Sequence, residues 1–254
     1  MSTTPDFEVH PPPTDPVSAL AFHPGPASSP KVQQLLIASW DKTVRQVDLS
    51  SDQAKASGSA PTLHTFYHDA AVLDVCWVDD TLAASGGLDR RVRLLDLESG
   101  QMNIIGKHDA AVSKIRYNPH NKILITGSWD KTFGVWDVQS KTGTLLRRIK
   151  MPDKIFAMDV SPPFPSTTQS FVDETRRLIV STAGRMLVVF KLDELSAALR
   201  QAKENGTDLA DDDAILQPEY SRESSLKFML RDVKCMPNGD GKQHCPTLHV
   251  SAMF

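Results

Sequence analysis

The sequence lacks any apolar run of about 18 or more residues, the length needed to cross a bilayer as a helix. Its opening stretch, MSTTPDFEVHPPPTDP, lacks the basic and apolar regions of a secretory signal. A membrane span and a cleaved leader are therefore both outside the reading. Cysteine is scarce: Cys76, Cys235 and Cys245 form an odd set at unrelated spacings. That argues against a disulfide framework and for a reducing compartment, cytosol or nucleus. An excess of one charge is missing too. With 28 Lys and Arg against 31 Asp and Glu, nothing global draws the chain to nucleic acid or to anionic membranes.

Catalytic and metal signatures are equally thin. There is no GxSxG, no phosphate-cradling Gly loop and no HExxH. Cys235, His244, Cys245 and His249 gather near the end, but without a CxxC or HxxxH spacing, so no metal site and no cofactor is expected. A His–Asp pair occurs in HDAAV, at His68 and again at His108. A general base has no reason to recur, whereas a residue that fixes a repeated fold does. The short basic stretches RRIK (Arg147 to Lys150) and DRRVR (Asp89 to Arg93) read as solvated strand faces rather than a nucleic-acid surface.

What is present is a repeat. IASWDKTVRQVDL, ASGGLDRRVRLLDL and ITGSWDKTFGVWDV align on the turn aspartates Asp41, Asp89 and Asp130, which lie 48 and 41 residues apart. Each unit alternates apolar and polar residues around a tight turn, the mark of antiparallel strands. Two of only four tryptophans, Trp40 and Trp129, stand in those turns directly before an aspartate.

This combination resembles the WD-repeat β-propeller family, whose blades recur every roughly 40–45 residues. The implied fold is all-β, with blades at about 17–66, 71–105 and 111–150. A fourth blade begins at KIFAMDVSP, continues through RLIVSTAGR and MLVVFKLD, and ends near SSLKF. Two insertions interrupt it, a Pro/Ser/Thr loop near 161–175 and a polar stretch near 196–215. The first half of the second insertion could be helical, and its acidic second half is expected to be mobile. A fifth blade starts with LRDVKC, and KQHCPTLHVSAMF is expected to hold no strand. Seven blades are usual in the family, so the reading is an incomplete propeller over 1–241 with a non-family tail at 242–254. Its N-terminal strand at Phe7–His10 is expected to be unpaired. The resemblance also implies one buried network per blade, built in the third unit from His108, Ser128, Asp130 and Trp136. In the first two units Val47 and Leu95 take the Trp place and Gly87 replaces the serine. Networks around Asp41, His68 and Asp89 are therefore expected to be incomplete.

Within the family, FEVHPPPTDPVSALAFHP, ASWDKTVR, TGSWDKTFGVWD, STAGR and SRESSLKF resemble the spindle-assembly-checkpoint branch, the budding-uninhibited-by-benzimidazole propellers. The messenger-RNA-export propellers of the nuclear pore share the GSWDKT type of turn. The resemblance implies a non-enzymatic scaffold, nuclear and cytoplasmic and at kinetochores in mitosis. It implies binding of a GLEBS motif, from checkpoint kinases or from a nucleoporin, across Trp40, Trp129 and Arg231. It further implies a kinetochore scaffold with phosphorylated MELT-type repeats as partner, but no phosphate-reading residue can be assigned to a position of this sequence.

Overall fold

A computed structural model describes residues 8–25, 33–50, 58–139, 141–161, 176–209, 214–235 and 248–251 of the 254-residue chain. The Pro/Ser/Thr insertion beyond Ser161, the acidic residues 210–213 and the pair His244 and Cys245 lie outside them.

The apolar alternation becomes a row of sheets, antiparallel except for one edge strand of the first. Strands β1 (Glu8–His10), β2 (Val17–Phe22), β3 (Gln34–Ser39), β4 (Thr43–Asp48) and β5 (Ser59–Tyr67) form the first. Strands β6 (Val72–Trp77), β7 (Leu82–Gly87), β8 (Arg91–Asp96) and β9 (Met102–Lys107) form the second. The third holds β10 (Val112–Asn118), β11 (Ile123–Ser128), β12 (Thr132–Gln139) and β13 (Thr142–Lys150). The fourth holds β14 (Ile155–Val160), β15 (Arg177–Thr182), β16 (Met186–Lys191) and β17 (Tyr220–Glu223). A two-stranded sheet, β18 (Asp232–Cys235) with β19 (Leu248–Ser251), completes the set.

The second, third and fourth sheets bury both faces, because a neighbouring sheet covers them on either side. Leu36, Ala38 and Val44 of the first sheet pack with Val72, Val75 and Trp77 of the second. Ala84, Val92 and Leu94 meet Val112, Ile115 and Leu124 of the third in the same way. This explains why β3, β7 and β11 read as nearly unbroken apolar or small runs. Close approach of the blades demands small residues three before the turn. A Cβ on Gly86 would lie 2.6 Å from Val112, and one on Gly127 would lie 2.7 Å from Ile155. One apolar face stays open: Leu20 and Phe22 of β2 are 57% and 62% exposed.

The inner strands are tied by polar groups that the sequence reading did not single out. Arg116 on β10 bridges Asp74 on β6 (2.8 Å) and Asp159 on β14 (3.4 Å). Asp74 also accepts the Ile115 N–H, and Asp159 accepts the Cys235 N–H, each at 2.8 Å. Each carboxylate thus caps a backbone donor of the following blade.

Two expectations need correction. The N-terminal strand is not unpaired, because Glu8–His10 runs parallel to β5 with Val9 opposite Ala60. That edge of the first sheet offers free backbone groups, and Val9 packs onto its apolar cluster. The tail is not devoid of strand, since Val233 pairs with Val250 and Cys235 with Leu248. LHVS alternates apolar and polar residues, which is sufficient for a strand of four. The fourth blade's outer strand is Tyr220–Glu223, just ahead of SSLKF.

The second insertion is helical from Leu192 to Glu204, and this helix is α1. Leu192, Leu195 and Leu199 recur on one face and join the core between the third and fourth blades. Asp193 in the first turn suits the helix dipole and also accepts the Asn121 amide N–H (2.7 Å) and the Arg176 backbone N–H (2.9 Å). Gly206 at φ +65° ends the helix in the left-handed conformation.

Candidate docking face

One turn geometry repeats four times and sets the face. The residue before the turn position donates its N–H to the carbonyl just ahead of the inner strand. Trp40 bonds to Pro16 (3.0 Å), Leu88 to Ala71 (2.9 Å), Trp129 to Ala111 (3.0 Å) and Ala183 to Lys154 (2.8 Å). Two residues on, Lys42, Arg90, Lys131 and Arg185 all adopt the left-handed conformation, with φ between 64° and 69°. Their carbonyls accept the N–H of His68, His108, Met151 and Ser224, which open the next blade. The turn tryptophans are thereby held at equivalent corners of blades 1 and 3, with Leu88 between them.

Trp129 is half-buried, and its indole Nε1 is buried with no hydrogen-bond partner among the described residues. Its ring meets Phe156 edge-on, at 6.0 Å between centroids and 68° between planes. Arg231 lies on the same Phe156 ring, with Cζ 5.6 Å from the centroid. The structure therefore brings Trp129 and Arg231 together through a third residue. Trp40 stands apart on blade 1, 49% exposed, and makes no ring contact among the described residues.

Phe156 escaped the sequence reading. It occupies the second position of the inner strand, where Ser18 and Ser113 instead donate to the carbonyls of Val72 (2.7 Å) and Ile155 (2.6 Å). The signal was a lone aromatic in KIFAMDV at a place held by serine in two other units. Arg231 precedes β18 rather than lying on it, is exposed, and forms no ion pair among the described residues. A guanidinium stacked on an aromatic ring with no carboxylate bound is open to an acidic ligand.

Beneath the turns, His108, Asp130 and Trp136 form a connected relay, but its hydroxyl belongs to Thr126, not Ser128. The Trp136 indole N–H donates to Thr126 Oγ1 (2.8 Å). Thr126 Oγ1 contacts His108 Nε2 (2.8 Å), and His108 Nδ1 contacts Asp130 (2.9 Å). Because Trp donates only, the Thr126 hydrogen is left for His108 Nε2, and Nδ1–H then faces the carboxylate. Ser128 instead donates to the Ala110 carbonyl (3.3 Å) and accepts the Asp130 N–H (3.1 Å). Burial depresses the His108 pKa against the pull of Asp130.

The second blade is not incomplete in the expected way. His68 Nε2 meets Ser85 (3.1 Å), four residues before the turn aspartate just as Thr126 is. Arg93 fills the volume that the indole takes in blade 3, contacting His68 Nδ1 (3.0 Å) and pairing with Asp89. Burial and the Arg93 charge hold the His68 pKa down at about 4. In blade 1, Arg45 likewise pairs with Asp41 (2.8 Å). Burial works against that carboxylate, but hydrogen bonds from Thr43, Arg45 and the Thr14 backbone outweigh it and bring its pKa to about 2. In blade 3 Gly134 stands where the arginines would be, and its Cβ would lie 2.9 Å from the Trp136 indole nitrogen. Arginine four residues after the aspartate and tryptophan six after it are alternative fillings of one space.

Among the described residues, no group of three or more His, Cys, Asp or Glu could hold a metal ion, and no helix is long and apolar enough to cross a membrane. The family described as "WD domain, G-beta repeat" matches residues 2–48, 61–96 and 100–137. The chain is a WD40-repeat protein. It is 34% identical over 237 residues to the "Mitotic checkpoint protein BUB3.1" of Arabidopsis thaliana, covering 92% of this chain and 56% of the relative. It is 31% identical over 240 residues to the "Poly(A)+ RNA export protein" of Schizosaccharomyces pombe, covering 93% and 55%. With "Protein Rae1" of Drosophila melanogaster it shares 34% over 190 residues, covering 74% and 48%. The chain thus spans about half the length of the curated relatives it matches. Its similarities are to the checkpoint and the mRNA-export propellers alike.

Proposed function

We infer that this WD40 chain is a non-enzymatic interaction scaffold of the spindle assembly checkpoint. In this reading it binds GLEBS-type motifs of checkpoint kinases and directs them to kinetochores, working in the nucleus and, in mitosis, at the kinetochore. The observation that carries it is the Trp129–Phe156–Arg231 cluster on the turn face. A half-buried indole with an unpartnered N–H, beside a guanidinium without a carboxylate, suits a peptide offering an apolar side chain and an acidic one. Trp40 would anchor the peptide at its other end, beyond blade 2. The second reading, an mRNA-export adaptor holding a nucleoporin GLEBS motif, is favoured by relatives named for RNA export at comparable identity.

Titration with a GLEBS-type peptide tests the docking face. Trp129→Ala is expected to weaken binding by about 2–4 kcal/mol, the loss typical of an aromatic hot spot. Arg231→Lys should weaken it measurably with the melting temperature unchanged, because lysine lacks the planar fork for a carboxylate. Wild-type affinity in Trp129→Ala would refute the face. A pull-down from mitotic extract separates the two readings by what is captured, a checkpoint kinase or a nucleoporin.

A further inference from the structure

Between the two turn tryptophans lies the corner of blade 2, and a chain bound at both must cross it. This corner repeats the backbone of its neighbours, with a half-buried Leu88 in the place of Trp40 and Trp129. Two residues on, Lys42, Arg90, Lys131 and Arg185 put a long basic side chain at φ between 64° and 69° in each of four blades. That region favours glycine and, after it, asparagine, because a Cβ crowds the following carbonyl. None of the four blades uses either residue there. Each cation therefore carries a local cost that an interaction of its side chain must offset.

In blades 3 and 4 the fold itself supplies that interaction. Lys131 pairs with Asp153 (3.3 Å), and Arg185 pairs with Glu223 and donates to the Leu226 carbonyl (3.1 Å). In blades 1 and 2 it does not. Lys42 and Arg90 are exposed and form no ion pair among the described residues. The carboxylates across each seam are otherwise disposed. Asp69 follows His68, whose N–H bonds to the Lys42 carbonyl, and is held by Arg91 and Arg93. Asp109 follows His108, whose N–H bonds to the Arg90 carbonyl; its own N–H bonds to Asp130 (3.0 Å), and it forms no ion pair among the described residues. The order along the face is thus Trp40, Lys42, Leu88, Arg90, Trp129, with two unpaired cations between two aromatic anchors.

We propose that Lys42 and Arg90 form an acid-reading subsite in the middle of the docking face, which selects peptides carrying carboxylates between their two apolar anchors. The subsite rests on the reading of the turn face as a peptide-docking surface and adds to it. Arg231 serves an acidic side chain beside Trp129 and Phe156, whereas Lys42 and Arg90 serve the stretch that spans blade 2. An ion pair open to water contributes little, but one closed under a docked chain loses its screening and rejects partners of the wrong charge. Arg90 dominates the pair, because its planar fork takes both carboxylate oxygens while Lys42 offers a point charge.

The test titrates the full chain with a GLEBS-type peptide and with a set in which each Asp and Glu of that peptide is replaced singly by Lys. Arg90→Asn keeps a residue suited to the turn, so the melting temperature should equal or exceed that of the unaltered chain. Its peptide affinity should nevertheless fall about fivefold. Arg90→Glu should cost about tenfold or more, and one Lys-substituted peptide should bind Arg90→Glu about fivefold better than it binds the unaltered chain, which names the carboxylate opposite. Trp129→Ala is the control for the face. Weaker binding by Trp129→Ala with full affinity in Arg90→Asn would overturn the subsite and leave the face standing. Full affinity in both would remove the face and the subsite together. A lowered melting temperature in Arg90→Asn would assign the arginine to holding the turn, and the absence of any Lys-substituted peptide that prefers Arg90→Glu would leave it no carboxylate to read. Either result overturns the proposal.

Discussion

At the scale of single residues, the relay of blade 3 shows what a motif conceals. Ser128 and Thr126 are two apart on β11, so period-2 geometry turns both to the same side of the sheet. Ser128 stands next to the conspicuous WD pair, and the resemblance placed the network hydroxyl there. Offset was the better guide, because Ser85 and Thr126 each lie four residues before their turn aspartate. The two hydroxyls should differ sharply when removed. Thr126→Val leaves the Trp136 N–H and His108 Nε2 buried without partners, at about 1–3 kcal/mol for each such group. We expect about 2–4 kcal/mol lost in urea denaturation. Ser128→Ala removes only a long bond to a carbonyl and a turn contact, and should cost about 1 kcal/mol or less. Equal losses would return the network role to Ser128. Trp129 was legible because a large ring before a turn aspartate calls for a reason. Phe156 was not, because nothing in KIFAMDV distinguishes an aromatic packed in the core from one beside Trp129 and Arg231 until the strands are placed.

At the scale of elements, each blade has solved one packing problem with a different polar group, and titration separates the solutions. His68 is neutral in the fold because burial and Arg93 hold its pKa at about 4, against an ordinary value of 6.5. His108 is displaced in the same direction, chiefly by burial. The unfolded chain therefore binds more protons than the folded one as pH falls below 6.5. Stability from both histidines is complete above that value and is lost as pH falls below it, for His68 over the range from 6.5 to about 4. For His68 alone the shift amounts to on the order of 3 kcal/mol. Asp41 pulls the same way but only at lower pH, between 3.8 and about 2, so the upper window belongs to the histidines. Denaturant midpoints measured from pH 7.5 to 4.5 should fall steadily below 6.5, and a flat profile would refute neutral buried imidazoles. The elements themselves were unevenly legible. Blades 1 to 3 announce themselves through Asp41, Asp89 and Asp130, whereas blade 4 turns through Ala183, Gly184 and Arg185, where Gly184 replaces the aspartate. Helix α1 begins before the polar insertion in which a helix was sought, since its first anchor, Leu192, falls in MLVVFKLD, which reads as a strand.

At the scale of the whole molecule, the repeat gives the architecture, but the ties between blades depend on residues that no single repeat reveals. Asp74, Arg116 and Asp159 sit on three different inner strands, and only the blade-to-blade stacking brings them within reach. Burial alone would favour a neutral Arg116, yet the two carboxylates outweigh it and keep the guanidinium charged. Charges so placed are costly to orphan. Removing the arginine strands two carboxylates that also cap Ile115 and Cys235, whereas replacing all three charges at once removes the imbalance. Arg116→Met is thus expected to destabilise by about 3–5 kcal/mol, the cost of breaking a buried pair on one side. Asparagine at positions 74 and 159 retains a carbonyl oxygen for each backbone N–H, so the combination Asp74→Asn, Arg116→Met, Asp159→Asn should recover most of that loss. Urea denaturation of both proteins decides the matter, with a common slope marking a common extent of unfolding. If the triple replacement is as unstable as Arg116→Met alone, the cluster contributes through packing of the arginine stem, and its charges are not what joins blades 2, 3 and 4.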